Sequence, residues 1–181
     1  MYTQYYELIK PIDDESWKKI CIDTKKVIKY YKKLNINVET NHPSGIMVSN
    51  KKKYINFNGI GDDSYETFSF GKEQMRFNFC KTNQNEYDKV VCSVMLVIYH
   101  HAKDCVSMSS DGNFNDWKEM MKNNAKIFGY AFELPPVINT EESNLFARQL
   151  AVEIYEKEIK KELYQEEKNQ NKTNKLKIKI D

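Results

Sequence analysis

INFNGIGDDSYETFSF (residues 55–70), FNFCKT (77–82) and EYDKVVCSVMLVIYHHAK (86–103) decide the fold of this chain. Across 38–81 the apolar residues recur with period two. Segments 46–48, 54–57, 67–70 and 75–79 are short, aromatic or β-branched, and broken by Gly and Asn, as strands are. Phe68 and Phe70 share one sheet face, as do Phe77 and Phe79, and Gly71-Lys72 between the two segments reads as a hairpin. The expected product is a small, mainly antiparallel sheet with an aromatic inner face. The period then changes. Val90, Val91, Cys92, Val94, Met95, Leu96, Val97 and Ile98 make residues 86–103 apolar almost all round, which predicts a central buried helix. Strands packed on such a helix define an α+β fold.

Outward from this centre, residues 3–9 suit an opening strand closed by Pro11, and Asp13 or Asp14 caps a helix. Trp17, Ile20, Thr24, Val27, Ile28, Tyr31 and Leu34 form its apolar stripe, opposite Lys18, Lys25, Lys29, Lys32 and Lys33. Residues 105–108 make a further strand. Residues 115–128 form an amphipathic helix through Trp117, Met120, Met121 and Ile127, ending at Gly129 as a C-cap. Beyond the extended Leu134-Pro135-Pro136-Val137, a last amphipathic helix carries Leu145, Phe146, Leu150, Ile154, Tyr155, Ile159 and Leu163. Residues 1–168 read as a single domain, and 169–181 as a polar tail, either disordered or adding LKIKI as a short strand.

Composition narrows the function classes. Lys+Arg 28 against Asp+Glu 26 in 181 residues gives a net charge of +2, too balanced for a dedicated duplex-DNA binder. No apolar run approaches the roughly 18 residues of a membrane span. The opening MYTQYYELIKPIDD lacks a basic segment followed by an apolar one, so a cytoplasmic protein is expected. Cys21, Cys80, Cys92 and Cys105 are scattered without a CxxC pair, which reads as reduced buried thiols and neither a metal nor a cofactor site.

The chemistry-bearing residues cluster in the central stretch. Asn58-Gly59-Ile60-Gly61-Asp62-Asp63 follows a strand but lacks both the dinucleotide fingerprint and a P-loop lysine. Lys81 and Thr82 precede the central helix, whose N-terminal amides beside a cation suit an anion, with Thr82 or Asn85 as cap. Tyr87 and Asp88 occupy its first turn. His100 and His101 end it, with Asp104 close behind. Ser110, Asp111 and Gly112 turn into the next helix, and no serine sits in a nucleophile elbow.

FNGIGDDSYETF, FCKT, YD, HHAKD and SSDG followed by Trp, in this order, resemble a family of small tailed-bacteriophage and prophage proteins. Its pattern runs FNG, HETF, FCKTARKPYD, KHHxGD and SSDG. The resemblance spans residues 55–128, about two-fifths of the chain. Departures are Tyr65 for a histidine, Asn83-Gln84-Asn85-Glu86 for Ala-Arg-Lys-Pro, and Lys103 for a glycine. The resemblance implies a host-cytoplasm accessory role without naming a reaction. The residues that match are Asn58, Gly59, Glu66, Thr67, Lys81, Thr82, Tyr87, Asp88, His100, His101, Asp104, Ser110, Asp111 and Gly112.

Three functions compete. The first is binding without catalysis, of a host protein or of a small anionic, nucleotide-like ligand such as a defence signal. Lys81 would take the phosphate, Glu66 the ribose or base, and Tyr87 the stacking, with Asn58, Thr67, Thr82, Asp88 and Ser110 around them. The second is a hydrolase in which His100 or His101 serves as acid/base, with Asp104 or Asp111 as orienter or metal ligand. Nucleic-acid binding by the lysine face of the first helix is the weakest. Because an 18-residue helix is roughly 27 Å long, Lys81 and the histidines cannot share one small pocket, and the N-terminal side is the expected site.

Overall fold

The computed structural model describes residues 2–177, with side chains described as far as Asn169. In chain order the elements are β1 (Thr3–Leu8), α1 (Asp14–Lys33), β2 (Val38–Glu39), β3 (Val48–Ser49), β4 (Tyr54–Gly59), β5 (Phe68–Gly71), β6 (Phe77–Lys81), α2 (Asp88–Ala102), β7 (Val106–Ser110), α3 (Phe114–Phe128) and α4 (Glu141–Lys177). The fold is α+β with every strand pairing antiparallel.

The strands form two sheets where the sequence pattern suggested one. In the first, β1 lies between β6 and β7, with Tyr5 opposite Phe79 on one side and Ser109 on the other. In the second, β4 pairs with β2, β3 and β5. The expected hairpin across Gly71-Lys72 does not form, because β5 pairs with β4 and β6 with β1. Lys72 shows why the chain crosses over. Its backbone N–H donates to the Lys53 carbonyl at 3.0 Å, its carbonyl accepts from Ile12, and its buried ammonium pairs with Asp14 at the start of α1.

As predicted, α2 is the central helix, and Val90 through Ile98 are all buried. It packs against α1, α3 and β7. Asp13, not Asp14, caps α1 by accepting from the Ser16 amide at 2.8 Å. The expected stripe of α1 is buried or half-buried except Leu34, which lies past its last turn and is exposed. The cap of α3 is Asn113, which forms a reciprocal capping box with Asp116, and Gly129 ends the helix in the left-handed region at φ 77.

The last helix differs most from expectation. It docks through Phe146, Leu150 and Ile154, whereas Tyr155, Ile159 and Leu163 are exposed. It also continues to Lys177, through the segment expected to be a polar tail. The remainder of the LKIKI segment, residues 178–180, lies outside the described residues. Among the described residues, no helix is long and apolar enough to cross a membrane.

Candidate functional site

The N-terminal end of α2 gathers most of the residues expected to bind a ligand, but it satisfies most of them internally. After β4 the chain doubles back so tightly that a Cβ on Gly59 would lie 2.3 Å from the Asp63 carbonyl oxygen. Asn58 staples this loop, accepting from the amides of Gly59 at 2.8 Å and Tyr65 at 3.2 Å. Its side-chain amide donates to the Tyr65 carbonyl and reaches Thr67. The loop delivers the Asp63 carboxylate to α2, where it accepts from the Tyr87 amide at 3.0 Å. Neither Thr82 nor Asn85 caps the helix with its side chain. The amides expected to hold an external anion thus meet a carboxylate of the protein itself, and burial nevertheless pushes the Asp63 carboxyl upward.

The neighbouring groups are equally committed. Lys81 Nζ lies 3.3 Å from Glu66, and Glu66 also accepts from the Lys81 amide at 2.9 Å. Tyr87 is fully buried and donates its hydroxyl to the carbonyls of Glu66 and Lys81 at 2.9 and 3.0 Å. Its ring therefore cannot stack on a ligand. Thr82 and Asp88 are buried too, with Asp88 accepting from the Gln4 amide at 2.9 Å. Burial pushes the Asp88 carboxyl upward, partly offset by that bond. Ser110 accepts from the Gly112 amide at 2.9 Å, and a Cβ on Gly112 would collide with the Tyr2 hydroxyl.

The other end of α2 lies about 22 Å away along the 15-residue helix. His101 Nε2 sits 2.8 Å from an Asp23 oxygen, and both side chains are largely buried. Asp23 also pairs with Lys26 at 2.8 Å. The partner is therefore Asp23 of α1, in place of Asp104 or Asp111. Asp104 is exposed. Asp111 stands at the far end of β7 and accepts from the Tyr5 hydroxyl at 3.1 Å. His100 is exposed beside a group of rings, with centroids 4.9 Å from Phe132 and 5.1 Å from Tyr130. Burial, with His101 adding, lowers its pKa. Tyr99, His100, Lys103, Ala131 and Glu133 line a shallow cavity of about 210 Å³ there. Asp23 was legible in principle, since an acid between Ile20 and Val27 falls on the buried face of α1.

The first sheet presents a third feature. Tyr5, Phe77 and Phe79 point outward from β1 and β6, and Phe77 and Phe79 are 59% and 42% exposed. They were expected on an inner face. Asn78 and Cys80 occupy it instead, Asn78 donating to the Ser69 carbonyl at 3.1 Å to join the sheets. The Tyr5 and Phe77 rings stack at 6.2 Å, Phe77 and Phe79 lie 6.4 Å apart, and Lys81 Nζ sits 5.3 Å above Phe79. Glu7, Glu66 and Asp111 rim the patch. The missed signal was parity, because Lys81 shares the period-two face of Phe77 and Phe79.

A smaller cluster also escaped the sequence reading. The His42 ring stacks on Tyr54 at 4.2 Å, and Ser44 bonds to both residues. These bonds close the loop between β2 and β3. The cysteines are free, and burial pushes the Cys21 and Cys80 thiols up to about 11 and 12. Cys105 is the exception to the expected burial, being partly exposed.

No protein-family model matches the chain, and neither a curated protein nor a solved structure matches it.

Proposed function

We propose that the protein is a phage-type accessory factor of the host cytoplasm that acts by binding, and that its partner is a host protein docked on the outer face of the β6-β1-β7 sheet. Counter-defence is the role this reading favours. The observation that carries it is the outward-facing aromatic trio of the exposed Phe77 and Phe79 with the half-buried Tyr5, with a rim of paired charges in Lys81–Glu66 and the hydrogen-bonded Tyr5–Asp111. Aromatic anchors inside a polar rim are the energetic centre of many protein interfaces. A small anion is less well served. Its cation is already paired, its helix amides face Asp63, and three carboxylates surround the patch.

The test is to identify a host protein retained by the wild-type chain and then measure its binding with purified components. The account expects Phe77→Ser/Phe79→Ser to lose that binding at an unchanged melting temperature. Unaltered affinity in the double variant, or a nucleotide that raises the melting temperature of the wild type, would overturn it.

One contact favours a second reading. The 2.8 Å His101–Asp23 pair is an acid/base group with its orienter, beside the cavity at His100. In this hydrolase, Asp23 replaces Asp104 and Asp111 as the orienting carboxylate. A hydrolytic activity abolished by His101→Ala and retained in the Phe77/Phe79 variant would favour it over docking.

A further inference from the structure

The final helix carries two apolar stripes on opposite sides. Phe146, Leu150 and Ile154 recur every fourth residue and dock the helix against α3. Leu145, Val152, Tyr155, Ile159 and Leu163 fall within about 80° of arc on the other side, at 100° per residue. All of these face solvent, from 37% exposed at Ile159 to 64% at Tyr155. From Tyr155 through Asn169 every residue is exposed. Most helical stability in proteins comes from packing an apolar face, and a continuous apolar seam along this one is a surface made to be covered.

The charges within the seam select the cover. Between Leu145 and Glu166 two charged residues fall inside its arc, Arg148 and Glu166, and they are of opposite sign. The seam is also nearly symmetric about residue 157. Arg148 and Glu166 lie nine positions to either side, Tyr155 and Ile159 two, and Val152 and Leu163 five and six.

We propose that two copies of this chain pair antiparallel through the seam of α4, about a two-fold axis beside residue 157. Tyr155 then meets Ile159 of the second copy, Val152 meets Leu163, and Arg148 meets Glu166, each contact occurring twice by symmetry. Parallel pairing would set Arg148 on Arg148 and Glu166 on Glu166. That repulsion selects the antiparallel arrangement. The docked stripe of α4 stays on its own body, so pairing needs no rearrangement of the fold.

Sedimentation equilibrium on the full chain tests this. The wild type should show a concentration-dependent dimer, and Ile159→Asp should be monomeric with unchanged melting of the body. Arg148→Glu and Glu166→Arg should each weaken the dimer by about tenfold, and the two combined in one chain should restore it. A monomer at every concentration, a dimer indifferent to Ile159→Asp, or a double swap that stays as weak as the single ones would overturn the proposal.

Discussion

Phe68-Ser69-Phe70 and Phe77-Asn78-Phe79 are nearly the same triplet, yet β5 buries both of its rings while β6 exposes both of its own. The difference lies in what each strand pairs with. The rings of β5 are next to β4 and meet Tyr6 of the neighbouring sheet, with Phe68 centroids 4.9 Å from Tyr6 and 5.2 Å from Phe57. On β6 the inward positions belong to Asn78, which links the two sheets through the Ser69 carbonyl, and Cys80, which donates to the Glu66 carbonyl in the loop before β5. One triplet holds the fold together, and in the proposed function the other meets a partner. Burial in a core is compensated within the chain, whereas the two aromatic rings of β6 left in water gain from a second surface.

The sharpest way to break this comparison is through the core that both sheets share. Val94 is fully buried in α2, and Val94→Asp places an unpaired charge there, so the chain should fail to fold. A native melting temperature in that variant would misplace the core. Next in size is the contrast between the triplets. Phe68→Ala should cost about 3–5 kcal/mol, while Phe77→Ala should stay within about 0.5 kcal/mol in denaturant titration. Equal losses would erase the distinction.

The two ends of α2 sharpen it further. Asp63→Ala should cost about 0.5–2 kcal/mol, because the helix loses the carboxylate on its first amides. Lys81→Ala, which breaks a partly exposed pair, should cost under about 1 kcal/mol. A larger loss for Lys81 than for Asp63 would return importance to the cation. The smallest effect is at His100. Its pKa is depressed by burial, so the folded chain binds that proton less readily than the unfolded one. Its stabilising effect is complete above about pH 6.5 and declines as the pH falls below that value. His100→Gln should flatten this part of the stability profile, and an unchanged profile would exclude the assignment. Thiol labelling separates the same regions by burial, with Cys105 reacting in the folded chain and Cys21, Cys80 and Cys92 only on unfolding.

Local patterning made much of this architecture legible. The all-round apolar run of α2 required a buried helix, and the stripe of Trp17, Ile20, Val27 and Tyr31 required α1 to pack on it. Strand partners were not legible, because Gly71-Lys72 resembles a turn until Lys72 is seen tied to Lys53 and Asp14. The site suffered from the same non-local effect. Lys81, Thr82, Tyr87 and Asp88 do gather at one end of α2, but Glu66, Asp63 and Gln4 arrive from distant segments and satisfy Lys81, Tyr87 and Asp88. Likewise Asp23 reaches His101 across 78 positions, a distance at which spacing carries no signal.

The most direct measurement pairs one variant of each triplet in a single comparison. Phe68→Leu and Phe79→Ala would be assayed together for melting temperature and for affinity towards the reconstituted host partner. The account predicts that Phe68→Leu melts earlier and binds normally while folded, and that Phe79→Ala melts as wild type and binds weakly. A Phe79→Ala chain that melts early and keeps full affinity would contradict it.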